Sequence, residues 1–148
     1  MINNQSRNNN RYQKPAFKKP QLNISFTEES YVSEAEKVIL SLKENNFKHG
    51  RDVLTTSQIR NLLSLTSSIL NDLVFKEFEQ VMDKLSYLRI QFVYQSGRNG
   101  AVKDLVETAQ ILKILENVQA KKDKETLIRF CHYMEALVAY FKYYGGKD

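Results

Sequence analysis

The hydrophobic positions of this chain recur at the spacing of an α-helix from about residue 27 onward. The clearest apolar face has intervals of four, three and four residues: Val81, Leu85, Leu88 and Phe92. A second face of the same segment carries cations, tyrosines and a glutamine: Lys84, Tyr87, Gln91, Tyr94 and Arg98. The pattern predicts a helix that packs one face on the core and turns a polar, aromatic face outward.

The same spacing predicts five helices, each bounded by a polar turn, a cap or a glycine. Their ranges are residues 27–46, 55 to about 71, 75–95, 101–119, and from the polar turn 121–123 to 144. The second helix has a capping box of Thr55 and Gln58, and Gly145-Gly146 ends the fifth. A break or kink is expected near Asn71-Asp72. Because no alternating strand pattern is present, the sequence predicts an all-α fold, a compact bundle of about five helices.

Residues 1–26 differ in composition from the rest of the chain. They are rich in Asn and Gln, contain both prolines and carry five cations without an acid: Arg7, Arg11, Lys14, Lys18 and Lys19. The remaining 122 residues then hold 17 basic and 17 acidic side chains, so the net charge of +5 belongs to this segment. We predict a disordered basic arm over residues 1–26 and a helical domain over residues 27–148. Removing the arm is expected to leave the helical fold and its melting essentially unchanged.

The residues that could support catalysis do not form a recognisable set. Cys131 is the single cysteine, and with the distant His49 and His132 it cannot supply the four ligands of a structural zinc site. Cys131 falls on the apolar face of its helix, which predicts a buried structural thiol. A glycine-rich phosphate loop, a signal peptide and a membrane span are all missing from the pattern. We therefore expect a cytoplasmic protein that is not an enzyme and holds neither metal nor cofactor.

Anion binding is indicated at four places. Lys48, His49 and Arg51 precede a predicted helix N-terminus, although ordinary capping explains that site as well. Arg60 shares the outer face of the second helix with small polar residues that could also simply face water. The outward face from Lys84 to Arg98 continues to Lys103, and Arg129 lies on the last helix. The candidate RNA-binding residues are Lys48, His49, Arg51, Arg60, Lys84, Arg98, Lys103 and Arg129.

Two further placements follow from the helical wheels. The side of the last helix opposite its core face is rich in tyrosine, and we expect it to be exposed. Its residues are Arg129, His132, Tyr133, Ala136, Tyr140 and Tyr143. It could stack on bases or pack against a neighbouring copy of the chain. Arg89 falls inside the apolar arc of its helix, so we expect it to pair with a carboxylate.

Three long segments resemble a known family. They are LTTSQIRNLL (54–63), YLRIQFVYQSGR (87–98) and RFCHYMEALVAYFKYYGGKD (129–148). In this order they are similar to the small subunit of the type III-A CRISPR–Cas effector, the Csm complex. The similarity covers essentially all of residues 27–148 and is far more specific than any short motif described above.

The resemblance implies a non-catalytic RNA-binding scaffold of an antiviral ribonucleoprotein. Its partners would be the guide RNA, the target RNA, other Csm subunits and neighbouring copies of itself. A membrane is not among the expected partners. In that family the subunit lines the channel of the guide–target duplex and contacts backbone rather than bases. Two other functions stay open at this stage. One is a helical protein-interaction module without direct RNA contact, and the other is an RNA-cleaving enzyme with an unrecognised site.

Overall fold

The computed structural model describes residues 21–147, and these form six α-helices and one short β-hairpin. In chain order the elements are α1 Tyr31–Lys43, β1 Lys48–His49, β2 Asp52–Val53, α2 Thr56–Asp72, α3 Phe78–Arg98, α4 Gly100–Thr108, α5 Ile111–Lys121 and α6 Lys124–Tyr143. The predicted all-α bundle is confirmed. The hairpin is an addition that the sequence pattern did not predict, because strands of two residues are too short to show alternation.

The ends of α2 and α6 are set by the residues expected to set them. In the capping box, the Thr55 N–H donates to Oε1 of Gln58 at 3.0 Å, and the Gln58 N–H donates to Oγ1 of Thr55 at 3.4 Å. Beyond α6, Gly145 has a φ of 94°, and the Gly146 N–H donates to the Phe141 carbonyl at 2.8 Å. The left-handed conformation of Gly145 ends the helix. Glycine suits this position because a residue with a side chain would be strained there.

The predicted fourth helix is two helices, α4 and α5. Gln110 lies between them with a φ of 55°, a left-handed conformation that interrupts the helix. The side-chain amide of Gln110 donates to the Leu22 carbonyl at 3.0 Å. Because the break depends on a contact between residues far apart in the chain, no glycine or proline marks it in the sequence.

The predicted arm of residues 1–26 falls outside the described residues as far as residue 20. Residues 21–26 are described and pack on the bundle, with Leu22, Ile24 and Phe26 half-buried against the core. The N–H groups of Ser25 and Phe26 both donate to the carboxylate of Glu34, which is only 7% exposed. The folded part of the chain therefore begins before the predicted boundary at Thr27.

Helix α6 lies at the centre of the bundle and packs on α1, α2 and α5. The face opposite its core stripe is partly covered, with the Phe26 ring 5.6 Å from that of Tyr133, so the prediction of an exposed aromatic face was wrong for Tyr133 but holds for His132 and Tyr143. Tyr133 is fully buried and donates from its hydroxyl to the Ala109 carbonyl at 3.0 Å. Tyr140 is half-buried, whereas Tyr143 is 79% exposed.

Cys131 is buried in the core, as its place on the apolar face predicted. Its thiol lies 3.7 Å from the Thr66 carbonyl, to which it donates a weak hydrogen bond. Burial raises the pKa of the thiol to about 12, so it stays protonated near neutral pH. Cys131 is thus a core residue without the features of a nucleophile. Among the described residues, no helix is long and apolar enough to cross a membrane.

Candidate nucleic-acid interface

The β-hairpin presents two exposed cations between α1 and α2. Its register pairs Lys48 with Val53 and His49 with Asp52, which leaves a two-residue turn at Gly50-Arg51. Gly50 has a φ of 58°, and tight hairpin turns require a positive φ at their first central residue. Lys48 and Arg51 are both exposed on this hairpin.

Two polar contacts hold the hairpin against the start of α4. Nδ1 of His49 lies 3.0 Å from Oδ2 of Asp104, and Oδ2 of Asp52 accepts a hydrogen bond from the Gly100 N–H at 2.7 Å. Gly100 is needed for this close approach, because a Cβ there would lie 2.6 Å from Cδ2 of the His49 ring. The hairpin therefore has a fixed place beside the junction of α3 and α4.

Several cations meet at this end of the bundle. Arg98, the last residue of α3, lines a shallow groove together with Ser57 and Asn61 from the start of α2. Asn99 follows Arg98 and caps α4 by accepting from the Ala101 and Val102 N–H groups. The hairpin, the start of α2, the end of α3 and the start of α4 are thus neighbours. They carry four exposed cations, here called the pole cations: Lys48, Arg51, Arg98 and Lys103.

A second groove continues along the outer face of α2. It is lined by Arg60 and small polar side chains, with an aspartate at its far end: Ser64, Ser67, Ser68, Asn71 and Asp72. The helical wheel predicted that Arg60, Ser64, Ser67 and Asn71 share a face, and they do. With 17 residues, α2 is roughly 25 Å long, and Arg60 in its second turn is its single cation.

Lys84 lies at the far end of this groove and is already paired. Its ammonium group contacts Asp72, which also lies 3.8 Å from the Lys76 ammonium. The hydrogen bond from Lys84 lowers the pKa of the Asp72 carboxyl below its usual value, with Lys76 adding to the effect and desolvation opposing it. The structure therefore places Lys84 on the predicted face but largely neutralises its charge.

The structure does not bring Arg129 together with the other candidates. Its side chain is 16% exposed, and Nε donates to Oε2 of Glu28 at 3.1 Å. The guanidinium also lies 5.7 Å from the centre of the Phe26 ring and donates to the Phe26 carbonyl. Arg129 holds residues 26–28 against α6, a structural role that the sequence did not suggest.

The N-terminus of α2, an expected anion site, has most of its amides satisfied within the protein. The Thr56 N–H donates to the Lys147 carbonyl at 3.0 Å, and the capping box satisfies the amides of Thr55 and Gln58. A phosphate would have to displace these partners. The geometry therefore favours ordinary capping over anion binding at this helix end.

The outward face of α3 is more apolar than the sequence indicated. Tyr87 and Tyr94 are each 55% exposed, as predicted, but Ile90 and Val93 are also exposed, at 60% and 53%. The Arg98 guanidinium lies 5.6 Å from the centre of the Tyr94 ring. Arg89 is exposed too, and no ion pair to it is present among the described residues, so the expected buried pair was wrong.

Within residues 21–147, no group of three His, Cys, Asp or Glu side chains is arranged to hold a metal ion. His49 has the carboxylate of Asp104 beside it, and within the described part of the chain this pair does not extend to a group of three. The chemistry of this surface is that of cations, hydroxyls, amides and aromatic rings, which is typical of binding to phosphates and sugars.

Comparison with known proteins identifies similar chains. The sequence profile described as Csm2 Type III-A matches residues 29–147. A protein of Streptococcus thermophilus named CRISPR system Cms protein Csm2 is 57% identical over 122 residues, which is 82% of this chain and 97% of that protein. Proteins of the same name are 42% identical in Mycobacterium tuberculosis, over 84% of this chain and 99% of the relative, and 36% identical in Enterococcus italicus, over 77% and 89%.

Proposed function

Because the chain belongs to the Csm2 type III-A family and is thus a small subunit of a type III-A CRISPR Csm complex, we propose that it binds the guide and target RNA backbone as a non-catalytic scaffold. Its surface would line the channel that holds the RNA. Other Csm subunits and neighbouring copies of the chain would complete that channel.

The observation that carries this proposal is the segregation of charge at one end of the bundle. Four chain segments gather there and expose the pole cations, although residues 27–148 have no net charge. The two aspartates among them are directed inward, since Asp52 accepts from the Gly100 N–H and Asp104 pairs with His49. Lys103 has the exposed carboxylate of Glu107 at 3.9 Å, so Lys48, Arg51 and Arg98 are the cations that most favour a polyanion here.

The proposed contacts do not depend on base sequence. Arginines and lysines on helix ends and a hairpin turn can meet phosphate oxygens, which are the same at every nucleotide. The serines and asparagines along α2 can donate to phosphate oxygens or ribose hydroxyls. A subunit that accepts any guide needs contacts of this kind.

A protein-interaction surface is the second candidate function, and the exposed apolar side chains favour it for a different part of the molecule. Ile90 and Val93 on α3 and Phe75 in the turn before α3 are exposed, Phe75 by 89%. Such residues are typical of the core of a protein interface. We propose that this surface contacts other subunits while the pole cations contact RNA.

The proposal is tested by RNA binding of the purified chain. Unrelated RNA sequences of one length should bind with similar affinity, and log affinity should fall linearly with log salt, by about 0.7 to 0.9 per phosphate contact. The RNA should be recovered intact with Mg²⁺ or Mn²⁺. Binding that is insensitive to salt would contradict the backbone-contact proposal, and cleavage would contradict the non-catalytic one.

Asp72→Asn should strengthen RNA binding, and Lys84→Ala should weaken it. The first substitution removes a negative charge from the α2 groove and frees the Lys84 ammonium. The second removes a cation and leaves the Asp72 carboxylate with Lys76 alone. We expect changes of about threefold in opposite directions, because exposed charge interactions are worth roughly 1 kcal/mol or less. Equal affinities for both variants and the unaltered chain would remove this end of the groove from the interface.

A further inference from the structure

We propose that His49 is a positioning residue for RNA binding, and not itself a phosphate contact. In this view its imidazole fastens the hairpin to α4, so that Lys48 and Arg51 are held ready for the backbone. The inference rests on the proposed RNA-binding function and deepens it, because it assigns a role to each of the three residues of the hairpin that were candidate contacts.

The chemistry of the imidazole supports this role. A carboxylate accepts hydrogen bonds, so Nδ1, at 3.0 Å from Oδ2 of Asp104, must carry the proton. Asp104 is a fixed anchor, with its side chain 10% exposed on α4. His49 is thus placed to hold the hairpin against α4 through its Nδ1 atom.

The hairpin needs such an anchor. Each strand has two residues, and an isolated two-stranded hairpin of any length is at best marginally stable in water. Three features converge on its attachment: the His49–Asp104 contact, the Asp52–Gly100 hydrogen bond and the missing Cβ of Gly100. Without them, Lys48 and Arg51 would have to be ordered when RNA binds, which costs affinity.

Two substitutions at position 49 separate positioning from contact. The amide of His49→Asn can place a donor near the Nδ1 position and keep the link to Asp104, whereas His49→Gln places its amide near the Nε2 position. We expect the Asn variant to bind RNA within about twofold of the unaltered chain, and the Gln and Ala variants to bind about three- to tenfold more weakly. Gly100→Ala should resemble His49→Ala, because the new Cβ displaces the imidazole. The opposite order, with Gln active and Asn impaired, would overturn the inference.

A double-mutant cycle provides the readout that a merely structural role would not change. If His49 acts through the hairpin cations, its substitution by Ala should have less than about a twofold effect once Lys48 and Arg51 are also Ala, and the salt slope should not fall further. His132→Ala, at an exposed histidine of α6, is the matched control and should bind normally. Melting temperatures of all variants show whether the fold is kept.

The failure of this inference differs from the failure of the proposed function. Full additivity of the His49 and cation effects would overturn positioning while RNA binding stands. The same holds if the Lys48 and Arg51 substitutions change nothing while those of Arg60 and Arg98 weaken binding. The inference about His49 and the proposed function would fail together only if the unaltered chain does not bind RNA.

Discussion

Replacing Arg51, Arg60 and Arg98 together by alanine should lower RNA affinity by about 100- to 500-fold in 0.1 M salt. Each phosphate contact adds roughly 0.7 to 0.9 to the salt slope, so three contacts supply about 2.1 to 2.7 powers of ten between 1 M and 0.1 M salt. The three arginines are exposed and lie on the hairpin, on α2 and at the end of α3. Filter binding or fluorescence anisotropy over a salt series measures both the affinity and the slope.

The matched control removes the same charge from elsewhere on the surface. Lys37, Lys43 and Lys113 are exposed on α1 and α5, and their combined substitution by alanine should reduce RNA affinity only a fewfold. Both triple variants should melt near the unaltered chain, because exposed charges contribute at most about 1 kcal/mol each to folding. If the two triple variants lose affinity equally, Arg51, Arg60 and Arg98 act only through the net charge of the protein and do not form a specific RNA-binding site.

Deleting residues 1–26 should destabilise the domain by about 2–4 kcal/mol, whereas deleting residues 1–20 should not. The longer deletion removes two donors to the buried Glu34 carboxylate, and hydrogen bonds to charged groups are worth roughly 1.5–3 kcal/mol each, partly offset by the entropy of ordering the segment. The expected fall in melting temperature is roughly 8–15 °C. Thermal unfolding followed by circular dichroism compares the two deletions.

Residues 21–26 are uncharged, so both deletions remove the same five cations. The two truncated chains should therefore bind RNA equally wherever both are folded, even though their stabilities differ. As an independent check, Glu34→Gln should lower the melting temperature of the full chain, since it removes the charge that the two N–H groups face. Equal melting of the two deletions would show that the contacts of residues 21–26 contribute little net stability.

Helices with strong local signals could be predicted from the sequence, whereas features that depend on distant contacts could not. The capping box at Thr55 and the glycines after α6 are local, and both were confirmed. The break at Gln110 and the packing of residues 21–26 each involve a partner at least eight residues away. Tyr133 was misplaced for the same reason, because a single helical wheel cannot show that Phe26 and the Ala109 carbonyl lie against it.

The candidate site follows the same division. Arg51, Arg60 and Arg98 are exposed as predicted, because polar helix faces and glycine-containing turns have local signatures. The engagement of Arg129 by Glu28 and of Lys84 by Asp72 joins different elements, so it could not be read from either segment alone. The exposure of Ile90 and Val93 on α3 could have been predicted from the helical wheel. Both fall outside the core-facing arc of Val81, Leu85, Leu88 and Phe92.

The central position of α6 also determines when this chain can fold during synthesis. Helices α1 and α2 bury their apolar faces against α6, and the Glu36 carboxylate on α1 accepts from the Tyr144 hydroxyl at the far end of the sequence. A nascent chain that lacks α6 lacks the main surface on which these two helices close, so the apolar residues that face α6 remain open to water and to chaperones. We expect a ribosome-bound chain to resist proteolysis only after α6 has left the exit tunnel.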